Sequence, residues 1–381
     1  MRVVVAPDKF KGSLTAQEAA AAIERGLRSS GLAFEGIVAI PMADGGEGTV
    51  EAFLAGGARR MAKMVRGPLG QPVAASFAID DTAAIVEMSS ASGLLLVANE
   101  RRDPLRATTF GTGELIRAAL DAGAQRILIG IGGSATNDAG AGMLQALGAR
   151  LLNAAGEDID PGGAHLGELA TIDLAGLDAR LKTVAIDVAA DVDNPLCGPD
   201  GASAVFGPQK GATPGDVRNL DDALAHFADV AAVALGVDHR NESGAGAAGG
   251  LGFALRAFLH ARLRPGVEIV AELRGLSDAL VGATAACTGE GSIDRQTLAG
   301  KTVAGVARLA HAAGVTTIVA FGGRVDDAAA AALRDRYGVT TIALAEEGYT
   351  LERAMSEAAR LLERAARDAA LRLMRMNGSS R

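Results

Sequence analysis

Aromatic residues are scarce in this sequence: they make up 3% of its 381 residues, and tryptophan is absent. Proteins that hold single-stranded nucleic acid stack the bases on aromatic side chains, so this composition disfavours such a surface. An excess of positive charge is missing as well. The formal net charge is -8, whereas binding to the nucleic-acid backbone depends on basic patches. We therefore expect no nucleic-acid partner.

Cysteine and histidine are also rare. The two cysteines, Cys197 and Cys287, lie far apart, and the five histidines show no metal-ligand spacing, which disfavours a disulfide framework and a zinc site. No apolar run reaches the roughly 20 residues that a membrane-spanning helix needs. The first residues predict a strand rather than a signal peptide. We expect a cytoplasmic protein without a membrane partner.

Glycine, by contrast, is abundant, at 50 residues, and it clusters at the ends of short apolar runs. These runs are rich in β-branched residues and alternate with Ala-rich amphipathic stretches, a pattern typical of βαβ units and a parallel sheet. A hairpin pattern at 73–87 interrupts the alternation. We predict an α/β fold of two α/β domains. A discontinuous Rossmann- or flavodoxin-like parallel-sheet domain comprises residues 1–66 plus 283–381, and a second α/β domain, 67–282, is inserted in it.

Ligands of open parallel sheets bind beyond the carboxyl ends of the strands, so the loops after the predicted strands are the candidate sites. The first strand, 2–6, precedes a loop that holds Asp8, Lys9, Lys11 and Ser13. A helix is predicted next, capped by Ser13 or Thr15, and helix N-termini favour anions. The loop is a candidate site for a carboxylate or a phosphate. The alternative is a solvated loop with a capping serine.

The second strand, 37–41, precedes a glycine-rich turn that is flanked by Asp44 and Glu47. Two carboxylates beside such a turn are suited to hold Mg²⁺ directly or through water, as in ATP sites. The alternative is a helix start whose acidic residues match the helix dipole. A third strand of the same domain is predicted at 60–65.

A Gly/Ser/Thr loop at 132–138 follows the strand predicted at 126–131 and enters a helix predicted at 137–147. Such loops bind phosphate through their backbone N–H groups. Gly130, Gly132 and Ala135 also match a dinucleotide-binding fingerprint, although the region after it does not predict the regular βαβ unit that this fingerprint requires. We predict phosphate binding here, with these residues as contacts: Gly132, Gly133, Ser134 and Asn137.

The strand predicted at 181–188 precedes Asp191 and Asp193, which point the same way if the segment is extended. In phosphoryl transfer, one carboxylate can accept the proton of the attacking hydroxyl while another holds the metal ion. Lys210 is near in sequence and is a candidate to neutralise phosphate. The alternative for 191–197 is a polar turn.

The strand predicted at 283–288 precedes Gly289 and Glu290, and Lys301 and Thr302 open the helix beyond them. Gly-Lys-Thr is the end of a Walker A loop, but Arg295 stands where its first glycine would fall, so the strict P-loop is absent. Lys301 at a helix start can still meet phosphate as a point charge. The alternative is a solvated lysine.

In their order and combination, these segments resemble the bacterial glycerate kinase family. The resemblance runs from residue 6 to residue 301 and rests on 6–8, 10–13, 41–48, 90–94, 108–114, 130–138, 191–198, 204–211, 246–252 and 288–301. Lys9 departs from the family, whose members often carry serine there. The resemblance implies ATP and Mg²⁺ as cofactors, D-glycerate as the small-molecule substrate and a two-domain α/β fold with the site in the cleft. It implies 2-phosphoglycerate as product, with 3-phosphoglycerate as the alternative.

The expected site residues fall into four groups. Catalysis is assigned to Lys11 and to Asp191 or Asp193, one of which deprotonates the hydroxyl. Substrate binding is assigned to Asp8, Lys9, Ser13, Asn194 and Lys210. The ATP phosphates are assigned to the 132–137 loop and to Gly289, Glu290, Lys301 and Thr302. Mg²⁺ is assigned to Asp44, Glu47 and Asp294.

Two other classes of function remain open at this point. A dinucleotide-dependent oxidoreductase would use the fingerprint at 130–135, and a non-enzymatic sensor of a small acid would bind ligand without turnover. The sequence leaves the oligomeric state open, with a homodimer as one option.

Overall fold

The structure is a computed structural model that describes residues 1–46, 48–298, 300–345 and 348–378, with side chains to residue 372. Two compact units are present. The first unit joins Met1–Asp44 to Pro265–Arg381, and the second unit is Gly45–Arg264. The limits expected from the sequence were 66/67 and 282/283, so the second unit begins and ends earlier in the chain than those limits.

The strands are short and follow the β-branched runs of the sequence. In chain order they are β1 (Arg2–Val5), β2 (Gly36–Ala39), β3 (Arg59–Arg66), β4 (Pro72–Asp80), β5 (Ala83–Glu87), β6 (Arg126–Gly130), β7 (Arg150–Leu152), β8 (Thr171–Asp173), β9 (Ala185–Ala189), β10 (Arg262–Arg264), β11 (Ala285–Ile293), β12 (Thr317–Val325) and β13 (Val339–Ala343).

The helices follow the Ala-rich stretches. In chain order they are α1 (Ala16–Ser29), α2 (Thr49–Ala55), α3 (Ser89–Ser92), α4 (Phe110–Asp121), α5 (Ala141–Ala146), α6 (Ala202–Phe206), α7 (Pro214–Leu235), α8 (Ala247–Leu259), α9 (Gly266–Leu273), α10 (Leu276–Leu280), α11 (Arg295–Leu298), α12 (Thr302–Ala312), α13 (Asp327–Tyr337), α14 (Leu351–Ser356) and α15 (Ala358–Gly378). Within the described residues, no helix combines the length and the apolarity needed to cross a membrane.

The sheet of the first unit has five strands in the order β13-β12-β11-β1-β2, and every neighbouring pair is parallel. Its apolar side chains pack into one core with α1 and α15, to which Val5, Ile23, Phe321 and Leu362 belong. Because the strands are parallel, the carboxyl ends of β11, β1 and β2 lie side by side.

The sheet of the second unit has six strands in the order β10-β9-β6-β5-β4-β3. Strands β10, β9, β6 and β5 pair in parallel, whereas β4 pairs antiparallel with β5 and β3. A separate antiparallel pair joins β7 and β8. The α/β fold and the hairpin expected at 73–87 are confirmed. The strand expected at 60–65 is present as β3, but it pairs in this sheet rather than with the strands of the first unit.

Side-chain caps fix the starts of two long helices. Thr15 accepts from Glu18 N–H while the Glu18 carboxylate accepts from Thr15 N–H, so Thr15 and not Ser13 caps α1. Thr213 and Asp216 form the same reciprocal pair at the start of α7. Each pair satisfies backbone donors that a helix start leaves unbonded, and so fixes where the helix begins.

The helix expected at 137–147 is shorter than predicted. It is α5, and it begins at Ala141, because Ala139 and Gly140 have left-handed φ values of 52° and 78°. A left-handed alanine carries steric strain and does not continue an α-helix. The 132–138 loop therefore does not run directly into a helix, and the expectation that it borders a helix N-terminus is wrong.

Candidate active site

Acidic side chains lie at the carboxyl ends of three neighbouring strands of the first unit. Asp8 follows β1, Asp44 follows β2, and Glu290 lies in the second half of β11. The sheet bonding continues past β1, since Asp8 N–H donates to the Gly289 carbonyl oxygen at 2.8 Å. The three carboxyl groups share the edge at which ligands bind in open parallel sheets.

Asp8 is a buried carboxylate, 5% exposed, with both oxygens bonded. Its Oδ1 accepts from Lys9 N–H at 2.7 Å, and its Oδ2 accepts from the Thr302 hydroxyl at 2.5 Å. Burial and the negative charge of Asp44 raise the pKa of Asp8 to about 6, against the lowering effects of Lys9 and Thr302. Asp8 is thus mostly ionised at neutral pH, but it is a stronger base than an ordinary aspartate.

Glu290 is the second buried carboxylate of this edge, at 7% exposure. Its Oε1 accepts from the Thr297 hydroxyl at 2.5 Å. Burial, together with the charges of Asp8 and Asp44, raises the pKa of Glu290 to about 7, although the Thr297 hydrogen bond and Lys301 oppose the shift. Glu290 was expected to meet ATP phosphate; its Oε1 is occupied by Thr297, and the contact with phosphate stays a prediction.

The residues that follow β11 bond largely among themselves. The Asp294 carboxylate accepts from Gln296 N–H at 2.8 Å, and Asp294 N–H donates to the Thr297 hydroxyl at 3.0 Å. The Lys301 ammonium donates to the Gln296 side-chain oxygen at 2.7 Å. Thr302 is the first residue of α12 and is fully buried. Asp294, expected as a metal ligand, closes its own turn.

The loop at 8–13 exposes its second lysine. Lys11 is exposed beside Gly12, whose φ of 78° lies in the left-handed region. Lys9 is half-buried, and the Ser13 hydroxyl donates to the Phe10 carbonyl oxygen at 3.0 Å. The loop is therefore a tight turn that presents one ammonium to solvent, while the Ser13 hydroxyl is engaged by its own backbone.

Of the two metal ligands predicted after the second strand, Asp44 belongs to the described residues. Asp44 lies close enough to Asp8 and Glu290 to raise the pKa of both, whereas Glu47 lies outside the described residues. Among the residues that the structure describes, no group of three or more His, Cys, Asp and Glu is arranged to hold a metal ion.

The second unit supplies the glycine loop after β6. Gly133 has a φ of 75°, and its carbonyl oxygen accepts from Leu94 N–H at 2.8 Å. Ala135 N–H donates to the Ser92 carbonyl oxygen at 2.9 Å, and Ser134 is 7% exposed. These bonds hold the loop against the segment that follows β5. Its fixed, glycine-rich backbone retains the features of a phosphate-binding loop.

Two residues predicted to contact ligand lie instead in the buried interior behind this loop. Asn137 is fully buried and donates from Nδ2 to the Ser203 hydroxyl at 2.9 Å. Lys210 is 1% exposed and donates from Nζ to the Thr136 carbonyl oxygen at 2.7 Å. Burial lowers the pKa of Lys210 to about 7, opposed by the charge of Asp138. These side chains support the loop from inside, so their expected direct contact with substrate or ATP is not what the structure shows.

The loop after β9 is on the surface. Asp191 and Asp193 are both exposed, and the Asp193 Oδ1 accepts from the Ser243 hydroxyl at 2.5 Å. Asn194 donates from its amide to the Asp200 carbonyl oxygen at 2.8 Å. Asn194 therefore closes a turn, and neither aspartate has the burial that raises the pKa of Asp8.

The sequence did not point to Thr297 or Asp138, which help to organise these loops, and it assigned Thr302 to phosphate rather than to a carboxylate. Thr297 donates to the buried Glu290 carboxylate, and Thr302 donates to the buried Asp8 carboxylate. Asp138 accepts from the Thr109 N–H and hydroxyl, at 2.8 Å and 2.9 Å, and so ties the glycine loop to the start of α4. The Asp294-to-Thr297 spacing is a turn signal, but it does not show which carboxylate Thr297 meets.

Known proteins resemble this chain over nearly its whole length. The model of the glycerate kinase family matches residues 3–374. The chain belongs to the glycerate kinase family. The glycerate kinase of Bacillus subtilis (strain 168) is 50% identical over 376 residues, which is 97% of both chains. The glycerate 2-kinase of Escherichia coli (strain K12) is 53% identical over 314 residues, 81% of this chain and 82% of the relative.

A solved structure agrees with this membership of the glycerate kinase family. A crystal structure from Salmonella typhimurium LT2, assigned as glycerate kinase 2, superposes with a TM-score of 0.88 at 45% identity and covers 99% of each chain. The resemblance seen in the sequence is confirmed, and the chain is a phosphotransferase of the kinase class. Kinase activity implies the use of ATP. The two alternative functions, a dinucleotide-dependent oxidoreductase and a non-enzymatic sensor, are therefore set aside.

Proposed function

We propose that this protein transfers the γ-phosphoryl group of ATP to the 2-hydroxyl group of D-glycerate, giving 2-phosphoglycerate and ADP. The relatives support this substrate, since one of them is a glycerate 2-kinase at 53% identity. The structural observation that best supports this reaction is the buried Asp8 carboxylate at the carboxyl edge of the first unit's parallel sheet.

Asp8 is proposed to accept the proton of the attacking hydroxyl. The hydroxyl oxygen forms a bond to the γ-phosphorus, the bond from that phosphorus to the bridging oxygen breaks, and ADP leaves. A base is most useful when its pKa is near the working pH, and the pKa of Asp8 is raised to about 6. Asp191 and Asp193 remain the alternatives, and their exposure gives them less support in this role.

Anionic groups are proposed to bind at three places. Lys9 and Lys11 hold the glycerate carboxylate, with the Ser13 backbone nearby in the same turn. Lys301 and the N-terminus of α12 hold phosphate in the first unit, where an ammonium adds to the positive end of the helix dipole. The glycine loop at 132–134 is the phosphate-binding element of the second unit.

Mg²⁺ is proposed to be held by Asp44 together with phosphate oxygens of ATP. The residues present fit this ion, because hard carboxylate oxygens are its usual ligands. The negative charge of Asp44 contributes to the raised pKa of Asp8 and Glu290. A cation would offset this contribution, whereas burial, the largest cause of both shifts, would remain. Mg²⁺ usually takes one or two carboxylates and the substrate phosphates rather than a cage of protein ligands. When bound, it neutralises charge on the phosphates.

The experiment that tests the activity measures ADP release with Mg-ATP and three acceptors: D-glycerate, L-glycerate and glycerol. We expect turnover that depends on D-glycerate, because only this compound offers both the carboxylate and the correctly placed hydroxyl. Glycerol lacks the carboxylate that Lys9 and Lys11 would hold, so it should react slowly. ADP release that is independent of D-glycerate would contradict the proposal.

A further inference from the structure

Two threonine hydroxyls from one stretch of chain donate to two buried carboxylates of the first unit, Asp8 and Glu290. The Thr302 hydroxyl reaches Asp8 Oδ2 at 2.5 Å, and the Thr297 hydroxyl reaches Glu290 Oε1 at 2.5 Å. Both threonine side chains are fully buried. The chain that follows β11 thus supports a carboxylate on each of two neighbouring strands, β1 and β11.

A buried threonine in this region does not need a carboxylate partner. Thr288, which is also fully buried but lies on β11, donates its hydroxyl to the Ala6 carbonyl oxygen at 2.8 Å. A bond to a carboxylate is different, because it is charge-assisted, shorter and stronger. It also favours the ionised form of its partner, as the lowering effect of Thr302 on the pKa of Asp8 shows.

The two oxygens of Asp8 are held by different groups. Oδ1 accepts the backbone N–H of Lys9 at 2.7 Å, and Oδ2 accepts the hydroxyl of Thr302 at 2.5 Å. The backbone bond positions one oxygen only, so without the hydroxyl the carboxylate plane is free to turn about the Cβ–Cγ bond. The negative charge of Asp44 would favour such a movement, since it repels the Asp8 carboxylate.

We infer that Thr302 is a positioning residue for phosphoryl transfer: its hydroxyl fixes the orientation in which the Asp8 carboxylate meets the attacking hydroxyl group. The inference rests on the proposed function, in which Asp8 accepts the proton. It replaces the role expected from the sequence, where Thr302 contacts ATP phosphate. A misplacement of about 1 Å in a reacting group can lower a rate by about 100-fold, so the effect should appear in kcat.

The test compares Thr302→Val, Thr302→Ser and Thr288→Val in the full-length protein, by kcat, by KM for ATP and for D-glycerate, and by thermal unfolding. Valine keeps the shape of threonine without its hydroxyl, and serine keeps the hydroxyl. We expect Thr302→Val to lower kcat by about 10- to 100-fold with KM for ATP within about twofold. Thr302→Ser should restore kcat to within a few-fold, and Thr288→Val should keep the wild-type kcat.

Three results would overturn the inference. The first is an equal kcat for Thr302→Val and Thr288→Val, and the second is a Thr302→Ser variant as slow as Thr302→Val. The third is a KM for ATP that rises at unchanged kcat, which would return Thr302 to phosphate binding. If Thr302→Val does not fold, Thr302→Ala against Thr302→Ser isolates the hydroxyl in the same way. Failure of the proposed function is seen separately, since the wild-type protein would then release no ADP in response to D-glycerate.

Discussion

At the scale of single residues, burial distinguishes the carboxylates of this protein. Asp8 and Glu290 are almost fully buried and have raised pKa values, whereas Asp191 and Asp193 are exposed. The sequence shows all of them as acidic residues after predicted strands. It does not show burial, which depends on side chains from distant parts of the chain, such as Thr302 beside Asp8.

The choice of base can be tested by two matched substitutions. Asp8→Asn removes the proton acceptor but keeps the shape, so kcat should fall by about 10²- to 10⁴-fold. Asp193→Asn removes an exposed carboxylate and should leave kcat within a few-fold. Both are measured at saturating Mg-ATP and D-glycerate. The reverse order of effects would return the role to Asp193.

The raised pKa of Glu290 predicts that the stability of the protein depends on pH. Its pKa is raised to about 7 from 4.5, so the folded state keeps a proton that the unfolded state has already lost. The free energy of unfolding should therefore fall as pH rises from about 4.5 to 7 and then level off. A difference of 2.5 pKa units (7 − 4.5) corresponds to about 3 kcal/mol.

Glu290→Gln removes this titration while keeping an acceptor for Thr297. Relative to the wild type, the variant should gain up to about 3 kcal/mol in the free energy of unfolding between pH 5 and pH 8. Glu352→Gln, an exposed substitution on α14, is the control and should show no comparable gain. Parallel stability curves for wild type and Glu290→Gln across this range would contradict the burial argument.

At the scale of elements, local signals predicted most helices and strands. The cap at Thr15 and the hairpin of β4 and β5 are short-range patterns, and each appears as expected. Elements governed by distant contacts were not predictable. The left-handed turn at Ala139, for example, is stabilised by a bond from its N–H to the Gly249 carbonyl oxygen.

Lys210 shows the same limit within the candidate site. Its sequence context, a lysine in a glycine-rich stretch, is typical of a phosphate contact. In the fold it closes a 3₁₀ turn and bonds to the Thr136 carbonyl oxygen inside the second unit. Only the tertiary packing decides whether a lysine in such a loop points outward or inward.

Two backbone segments of this protein approach each other closely at β6, and their packing gives a prediction at the scale of elements. A Cβ atom on Gly130 would lie 2.1 Å from the Gly45 carbonyl oxygen, whereas one on Gly132 would lie 3.7 Å from the nearest atom. Gly130→Ala should therefore destabilise the protein by about 1–3 kcal/mol or more, since backbone must move. Gly132→Ala should be close to neutral in stability. Equal unfolding temperatures for the two variants would contradict the packing around β6.

At the scale of the whole molecule, the sequence predicted an α/β fold with a segment inserted between two parts of a discontinuous parallel-sheet unit. The structure has two compact units in that order along the chain. The first limit differs because β3 belongs to the second unit's sheet, and a single strand carries no mark of the sheet it will join. Membership of the glycerate kinase family was predictable, because its motifs extend over nearly the entire chain.

The most direct test of the account is phosphorus NMR of the products formed from Mg-ATP and D-glycerate. It reports whether the γ-phosphoryl group leaves ATP and which hydroxyl group of glycerate receives it. The account predicts that the γ-phosphate signal of ATP declines as that of 2-phosphoglycerate rises, with ADP formed in equal amount. A signal from 3-phosphoglycerate would contradict the proposed position of transfer, and inorganic phosphate as the sole product would contradict the proposed reaction.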